Sequence, residues 1–256
     1  MSTGIIIEHL DSQIVRLTLD RPERMNALGS EMTQALIAAV EELAGTDTRV
    51  LLITGEGRSF CAGADLKERK GMDHDQRIAH NRAINGAINA VAALPFVTVA
   101  VVNGAALGGG CELMLACDMR LAAASATMGL TESRIGAFPG AGGTQRLPRL
   151  IGAAPALEMM FTADPVSAER AERLGLVNEV VAPERLQERS LELARHLASR
   201  SPAAQRAIKR LVYGGVELPL AEGLAKERAE LSAIFSSADY AEGLAAFAEK
   251  RSPRFS

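Results

Sequence analysis

Two glutamates, Glu112 and Glu132, are the side chains of this sequence best suited to proton transfer. Glu112 follows a glycine run in GAALGGGCELMLACD (104–118), and the residues after it are apolar as far as Cys117. This pattern predicts a helix buried on all sides, where an unpaired carboxylate is costly or has a raised pKa. A place in the first turn of a helix stabilises a carboxylate by only ~0.3–1 kcal/mol. Glu112 is therefore expected to have a partner or to exchange protons.

Glu132 stands in MGLTESRIGAFPGAGG (128–143), between a predicted strand and another glycine-rich segment. By itself such a residue is an ordinary surface glutamate. It becomes a candidate because it would be the second carboxylate of a site that contains Glu112. The chemistry that such a pair can perform is general acid–base catalysis.

Two glycine-rich segments could supply backbone donors. CAGAD (61–65) and ALGGGCE (106–112) each follow a predicted buried strand and precede a helix, so their N–H groups would point outward at a helix N-terminus. Two such donors that converge on one oxygen form an oxyanion hole. The alternative is that these glycines only allow tight turns and close packing. The phosphate-binding patterns G-x-G-x-x-G (after a strand) and G-x-x-x-x-G-K-[ST], and the nucleophile pattern G-x-S-x-G, are absent from the sequence.

Alternating strands and helices must position these groups. Continuous apolar runs at 50–54 and 96–102 are typical of strands buried on both faces. Apolar residues at helical spacing predict helices at 30–44, with Ser30 as N-cap, and at 76–93. The order of these elements indicates a layered α/β fold. Further strands are predicted at 3–8, 13–19, 118–122, 127–129 and 177–181, and further helices at 144–151, 154–162 and 167–174.

The pattern changes after Pro183, where every predicted element is a helix. The predicted helices span 184–199, 202–213, 218–236 and 239–250. In the third of these, Leu220, Leu224, Leu231 and Ile234 line one face. An apolar face must be covered, either by the protein's own core or by a neighbouring subunit.

Composition excludes several classes of function. The 256 residues include 28 Lys and Arg, 31 Asp and Glu, no Trp and two Tyr, so neither a basic patch nor stacking platforms indicate a nucleic-acid partner. Cys61, Cys111, Cys117 and the four histidines have no metal-ligand spacing, which predicts no metal site and a reducing compartment. The N-terminus lacks signal-peptide features, and no apolar run reaches the ~18 residues of a membrane span. We expect a cytoplasmic protein that does not bind membranes.

Five motifs, in order along nearly the whole chain, resemble the crotonase superfamily of enoyl-CoA hydratases and isomerases. They are RPERMNAL (21–28), FCAGADLKE (60–68), NGAALGGGCELMLACD (103–118), ESRIGAFPGAGGTQRLPR (132–149) and EGLAAFAEKRSPRF (242–255). The resemblance implies an α/β fold, a spiral of repeated ββα units followed by a helical oligomerisation region. It implies a catalytic, CoA-binding core at 1–195 and a trimerisation region at 196–256, with homotrimers that commonly pair into hexamers.

The resemblance also implies site residues. The N–H groups of Ala64 and Gly109 match the oxyanion hole for the thioester carbonyl, and Glu112 and Glu132 match the two catalytic glutamates of hydratases. Residues that match the CoA-binding segment are Ala62, Gly63, Ala64, Asp65, Leu66, Lys67 and Gly109, and Phe247 and Lys250 match a last helix that sometimes serves a neighbour's site.

The implied activity is hydration of a 2-enoyl-CoA thioester to a 3-hydroxyacyl-CoA, without a cofactor, since coenzyme A is part of the substrate. Many isomerases of the superfamily keep only one of the two carboxylates, so the presence of both favours a hydratase.

FCAGADLKER (60–69) and EKRSPRF (249–255) are most similar to the branch that includes methylglutaconyl-CoA hydratase, which leaves a branched or carboxylated acyl group open. That branch also has an RNA-binding member with a lysine-rich helix, but the matching segment here, 30–45, contains no Lys or Arg.

Overall fold

Two β-sheets form the body of the protein in the computed structural model, which describes residues 4–256. The strands are β1 (Ile5–His9), β2 (Ile14–Leu19), β3 (Val50–Gly55), β4 (Ser59–Cys61), β5 (Val97–Val102), β6 (Ala105–Leu107), β7 (Met119–Ala123), β8 (Thr127–Gly129), β9 (Val166–Ser167) and β10 (Glu179–Val181). The larger sheet has the order β1-β2-β3-β5-β7-β10 and the smaller sheet the order β4-β6-β8-β9. β1 pairs antiparallel with β2, and β8 with β9, whereas the other pairs are parallel.

Helices follow the strands through the first part of the chain and then continue alone. They are α1 (Ser30–Ala44), α2 (Leu66–Lys70), α3 (His74–Ala93), α4 (Gly109–Ala116), α5 (Gly143–Ile151), α6 (Ala153–Thr162), α7 (Ala168–Arg173), α8 (Leu186–Ala198), α9 (Pro202–Gly215), α10 (Leu220–Phe235) and α11 (Ala238–Glu249). Short 3₁₀ turns lie at Pro22–Arg24, Glu132–Ile135 and Pro183–Arg185.

Each turn of the chain adds one strand to each sheet. β3 is followed by β4, β5 by β6 and β7 by β8, and a helical segment leads from each pair to the next strand of the larger sheet. This arrangement confirms the predicted α/β spiral of ββα units. Because β4 and β6 run parallel and adjacent, the segments that leave their carboxyl ends emerge side by side. Those segments are the two glycine-rich stretches.

The parallel strands provide a rigid platform for the site. All residues of β3 are buried, and so are those of β5 after Val97, as their continuous apolar sequences predict. α8 packs against the larger sheet, and α1 packs against α3. α4 is buried along its whole length, from Gly109 to Ala116, which confirms the predicted helix buried on all sides.

The sequence pattern misses the short elements nearest to the glycine stretches. β4 and β6 have three residues each and lie where the pattern predicts loops, and the five-residue α2 follows Asp65. A strand of three residues is too short to show periodicity. The prediction of Ser30 as N-cap is wrong by one residue, because Gly29 occupies the cap and Ser30 binds the carboxylate of Glu68 through its N–H and hydroxyl. The strand predicted at 3–8 begins at residue 3, which lies outside the described residues.

The C-terminal helices are anchored to the sheet body by buried polar contacts. Arg49 donates to the carbonyl oxygens of Ala198 (3.2 Å) and Phe255 (2.8 Å). Lys209 of α9 reaches Asp118 at 2.8 Å. The boundary predicted at residue 195 falls within α8, and the division into core and trimerisation region stays a prediction.

Three of the four residues of the predicted apolar face of α10 stay exposed in the part of the chain that the structure describes, whereas Ile234 is half-buried. Leu220 is 77% exposed, and Leu224 and Leu231 are more than two-fifths exposed. No helix within residues 4–256 is long and apolar enough to cross a membrane.

Candidate active site

A cavity of about 230 Å³ opens where α2, α4 and the Glu132–Ile135 turn meet. It brings together most of the residues that the sequence proposes for the site, although these are spread along more than 70 positions of the chain. Of the predicted residues, Ala62, Gly63, Ala64, Leu66, Gly109, Glu112 and Glu132 line it. Ile84, Leu107, Ile135 and Phe138 add apolar wall, and Arg69, Asn81 and Arg134 add polar groups.

The CAGAD stretch is held in place by the segment around Asn26. The Asn26 side chain donates to the carbonyl oxygens of Ser59 (2.8 Å) and Phe60 (3.2 Å), and so ties down β4. After β4, the N–H of Leu28 donates to the carbonyl oxygen of Gly63 at 2.7 Å, and the N–H of Asp65 donates to the carbonyl oxygen of Leu28 at 3.1 Å. These bonds leave the N–H of Ala64, between them, without an acceptor in the described part of the chain.

The second glycine stretch approaches the first so closely that side chains would not fit. Gly63 has φ +88°, and a Cβ added to it would lie 2.9 Å from the amide nitrogen of Gly109. A Cβ on Gly110 would lie 2.0 Å from the carbonyl oxygen of Cys61. The sequence leaves two interpretations of these glycines open, close packing and an exposed pair of backbone donors. In this structure the glycines allow both.

The N–H groups of Ala64 and Gly109 end up as neighbours at the cavity wall. A Cβ added to Gly109 would lie 3.6 Å from the Ala64 nitrogen. Gly109 is the first residue of α4, and the N–H of the first residue of a helix has no acceptor within that helix. Neither amide is bonded to another residue among 4–256, so both donors are available to one oxygen atom.

Glu112 is buried, with 3% of its surface exposed, and its carboxylate is held by backbone donors. Oε1 accepts the N–H groups of Ala141 at 2.7 Å and Gly143 at 2.8 Å. Burial raises the pKa of Glu112, and these two hydrogen bonds act in the opposite direction. The expected partner of Glu112 is thus the backbone of the glycine-rich segment 136–143. The pKa of Glu112 is still raised, because burial outweighs these hydrogen bonds.

Glu132 lies in the 3₁₀ turn after β8, and no backbone donor fixes its buried oxygen. Its Oε2 has no hydrogen-bond partner. Burial, together with the charge of Glu112, raises the pKa of Glu132 to about 7. A carboxyl group with such a pKa takes up and releases protons near neutral pH.

A family model described as Enoyl-CoA hydratase/isomerase matches residues 9–256. The chain belongs to this family. It is 42% identical over 251 residues to human enoyl-CoA hydratase domain-containing protein 2, mitochondrial, covering 96% of this chain and 86% of that protein. It is 41% identical to the mitochondrial methylglutaconyl-CoA hydratase of Mus musculus, covering 97% of this chain and 82% of that one. A crystal structure of an enoyl-CoA hydratase from Bacillus anthracis superposes with a TM-score of 0.97 at 40% identity, covering 98% of each chain.

Some residues that the family resemblance assigns to CoA binding do not line the cavity. The Asp65 carboxylate is buried and caps α2 by accepting the N–H groups of Lys67 (3.0 Å) and Glu68 (3.2 Å). Lys67 is exposed outside the cavity. Phe247, 85% exposed, and Lys250 lie at the end of α11 and are not part of the cavity wall of their own chain. Their role in binding CoA stays a prediction.

The sequence reasoning overlooks several groups that the tertiary structure places at the site. Ala141 and Gly143 act through their backbone, which no side-chain pattern reveals. Arg69 lies four residues after Asp65, the N-cap of α2, so the spacing places it one helical turn inside that helix. Because the pattern does not predict this five-residue helix, it also does not indicate that the Arg69 side chain lies near the two glutamates.

Proposed function

We propose that the protein adds water across the 2,3-double bond of a 2-enoyl-CoA thioester to give a 3-hydroxyacyl-CoA. One observation carries the proposal: two glutamates with raised pKa share a cavity with two unbonded backbone donors. Hydration needs a site for the charge that develops on the thioester oxygen and a group that moves protons at C2 and C3. The cavity offers both.

In the proposed mechanism, the N–H groups of Ala64 and Gly109 bind the thioester oxygen. Glu132 takes a proton from a water molecule, whose oxygen bonds to C3, and negative charge passes to the thioester oxygen as an enolate. Glu112, fixed by Ala141 and Gly143, holds the water and assists the return of the proton to C2. Each oxyanion donor contributes roughly 100–1000-fold to the rate of such a step.

The same site could shift a double bond, which is the isomerase alternative. Proton removal and return by one carboxylate would be enough for that reaction, so the retention of two carboxylates favours hydration. The test is to incubate the protein with crotonyl-CoA and, separately, with a 3-enoyl-CoA, and to identify products by mass spectrometry. A mass gain of one water from crotonyl-CoA supports hydration. Conversion of the 3-enoyl thioester without any hydration of crotonyl-CoA would establish the isomerase instead.

We also propose that copies of this chain associate through the C-terminal helices, as a trimer or a pair of trimers. The exposed apolar residues of α9 to α11 support this proposal. They include Ile208, Val212, Val216, Leu220, Leu224, Leu231, Phe235, Leu244 and Phe247. A large number of exposed apolar side chains on neighbouring helices is typical of an interface between subunits. Sedimentation should give three or six times the mass of the chain, and a monomer at micromolar concentration would contradict the proposal.

A further inference from the structure

Arg69 is a cation in the cavity wall that forms no hydrogen bond or ion pair through its side chain with any of residues 4–256. Its Nε is buried and forms no hydrogen bond. The charges that act on it, those of Arg77, Glu112 and Glu132, act through space and not through a hydrogen bond. Burial lowers the pKa of Arg69, but a guanidinium remains protonated in proteins and so stays charged. An anion brought to Arg69 would therefore be stabilised.

The other arginines near the cavity already have partners. Arg134 also lines the cavity, but its Nη2 lies 2.8 Å from the Asp164 carboxylate. Arg146 donates to the carbonyl oxygen of Ala141 at 3.1 Å and to Asn89 at 2.7 Å. Of Arg69, Arg134 and Arg146, Arg69 is the one whose guanidinium has no acceptor within the described part of the chain.

The two glutamates do not take this role themselves. The Oε1 of Glu112 is committed to backbone donors, and the Oε2 of Glu132 lies buried without any partner, Arg69 included. Arg69 lines the same cavity as both glutamates, and their charges act on it, so the guanidinium lies on the side of the reacting groups. The phosphates of coenzyme A lie a whole pantetheine away from the thioester, so a phosphate is not the anion that this position fits.

The acyl group is the part of the substrate that reaches this side. The cavity offers apolar wall for it at Ile84, Leu107, Ile135 and Phe138. The cavity volume of about 230 Å³ is below the ~300–1,000 Å³ of pockets that enclose a complete drug-sized ligand, which fits a short acyl group. The planar guanidinium fork matches a carboxylate with two parallel hydrogen bonds.

Resting on the function proposed above, we propose that Arg69 binds a carboxylate at the far end of the acyl group. The preferred substrates are then 2-enoyl-CoA thioesters of short dicarboxylic acids. Arg69 selects between acyl groups, whereas the glutamates and the two backbone amides act on the double bond and the thioester common to all of them.

Crotonyl-CoA and glutaconyl-CoA form a matched pair of probes, because the second differs from the first only by a carboxylate attached to the terminal carbon. With the full-length protein, kcat/KM for glutaconyl-CoA should exceed that for crotonyl-CoA at least tenfold. Arg69→Met should lower this ratio roughly 10- to 100-fold, the loss typical of a charged hydrogen-bonding partner. Arg69→Lys, which keeps the charge without the fork, should give an intermediate ratio.

Lys70→Met is the control, since it removes the neighbouring cation of α2, which is exposed and does not line the cavity, and its ratio should equal that of the unmodified protein. A ratio at or below one in the unmodified protein overturns the proposal. So does an Arg69→Met variant that loses activity equally toward both probes, because Arg69 would then serve only to balance the charges of the glutamates. Thermal unfolding of each variant establishes that it is folded.

A binding measurement separates this proposal from the proposed function. Glutaryl-CoA and butyryl-CoA lack the double bond and can be titrated calorimetrically without turnover. Glutaryl-CoA should bind at least tenfold more tightly, and Arg69→Met should abolish the difference. If neither enoyl probe is hydrated but this preference is found, the hydratase proposal fails and the role of Arg69 stands. If crotonyl-CoA is hydrated and no preference is found, the role of Arg69 fails and hydration stands.

Discussion

The helix that carries Glu112 and the 3₁₀ turn that carries Glu132 present the same side chain in two different ways. α4 is buried throughout, and two backbone N–H groups fix one oxygen of Glu112. The Glu132–Ile135 turn has no fully buried residue, and the inner oxygen of Glu132 has no partner. Burial raises the pKa of both, to about 7 for Glu132.

The difference teaches how a protein can assign separate tasks to identical groups. Hydrogen bonds from the backbone orient a carboxylate and favour its charged form, whereas burial without such bonds favours the neutral form. Under the proposed mechanism, Glu112 is suited to holding a water molecule in a fixed direction. Glu132 is suited to exchanging a proton with it. Substitution of each group separately tests whether this division holds.

The largest effect is expected from Glu132→Gln. The amide keeps the shape of the side chain but cannot accept a proton from water, so kcat for crotonyl-CoA should fall roughly 10²–10⁴-fold, as for loss of a general base. Calorimetric binding of butyryl-CoA should be retained. Turnover close to that of the unmodified protein would show that Glu132 is not the base.

Gly109→Pro tests the donor beside the two glutamates. Proline is tolerated in the first turn of a helix and lacks the N–H, so kcat should fall roughly 10²–10³-fold, as for loss of one oxyanion donor. Gly109→Ala, which keeps the N–H, is the matched control, and thermal unfolding should show that both variants are folded. Equal rates for the two variants would remove Gly109 from the oxyanion hole.

A smaller loss is expected from Glu112→Gln. The amide oxygen can still accept the N–H groups of Ala141 and Gly143, so the side chain stays in place and only its charge is lost. The rate of hydration should fall roughly 10- to 100-fold, the cost of a charged hydrogen bond. The free energy of unfolding, measured in urea, should be unchanged or higher, because a buried carboxylate is replaced by a neutral group. A marked loss of stability would mean that the charge of Glu112 is structural.

The smallest expected effect is on the pH dependence of stability. The pKa of Glu132 is raised from 4.5 to about 7 on folding, so its protonation stabilises the folded state below the lower value. That contribution is lost as pH rises through the higher one. Between about pH 5 and pH 8, the stability of Glu132→Gln relative to the unmodified protein should therefore increase, by roughly 1–2 kcal/mol after allowance for solvent screening.

Urea unfolding at both pH values measures this change, with Glu132→Ala as a second variant without a titrating group. Parallel stability curves for the variants and the unmodified protein would contradict the raised pKa of Glu132.

Much of the fold follows from local sequence pattern. The continuous apolar runs that become β3 and β5, and the helices α1 and α3, have signals that depend only on neighbouring residues. The short strands β4 and β6 do not, because their stability comes from pairing with each other across about 45 positions of chain. The ordered motifs, rather than periodicity, are what predicted the spiral of ββα units.

The apolar residues that follow Glu112 are enough to predict that it is buried and needs a partner. The sequence also identified the glycine stretches as sources of backbone donors. Only the tertiary structure decided that the partner is the backbone at Ala141 and Gly143, and that Arg69 remains without one. Hydrogen bonds to backbone groups depend on where distant segments meet and not on which side chains those segments carry, so no pattern along the chain encodes them.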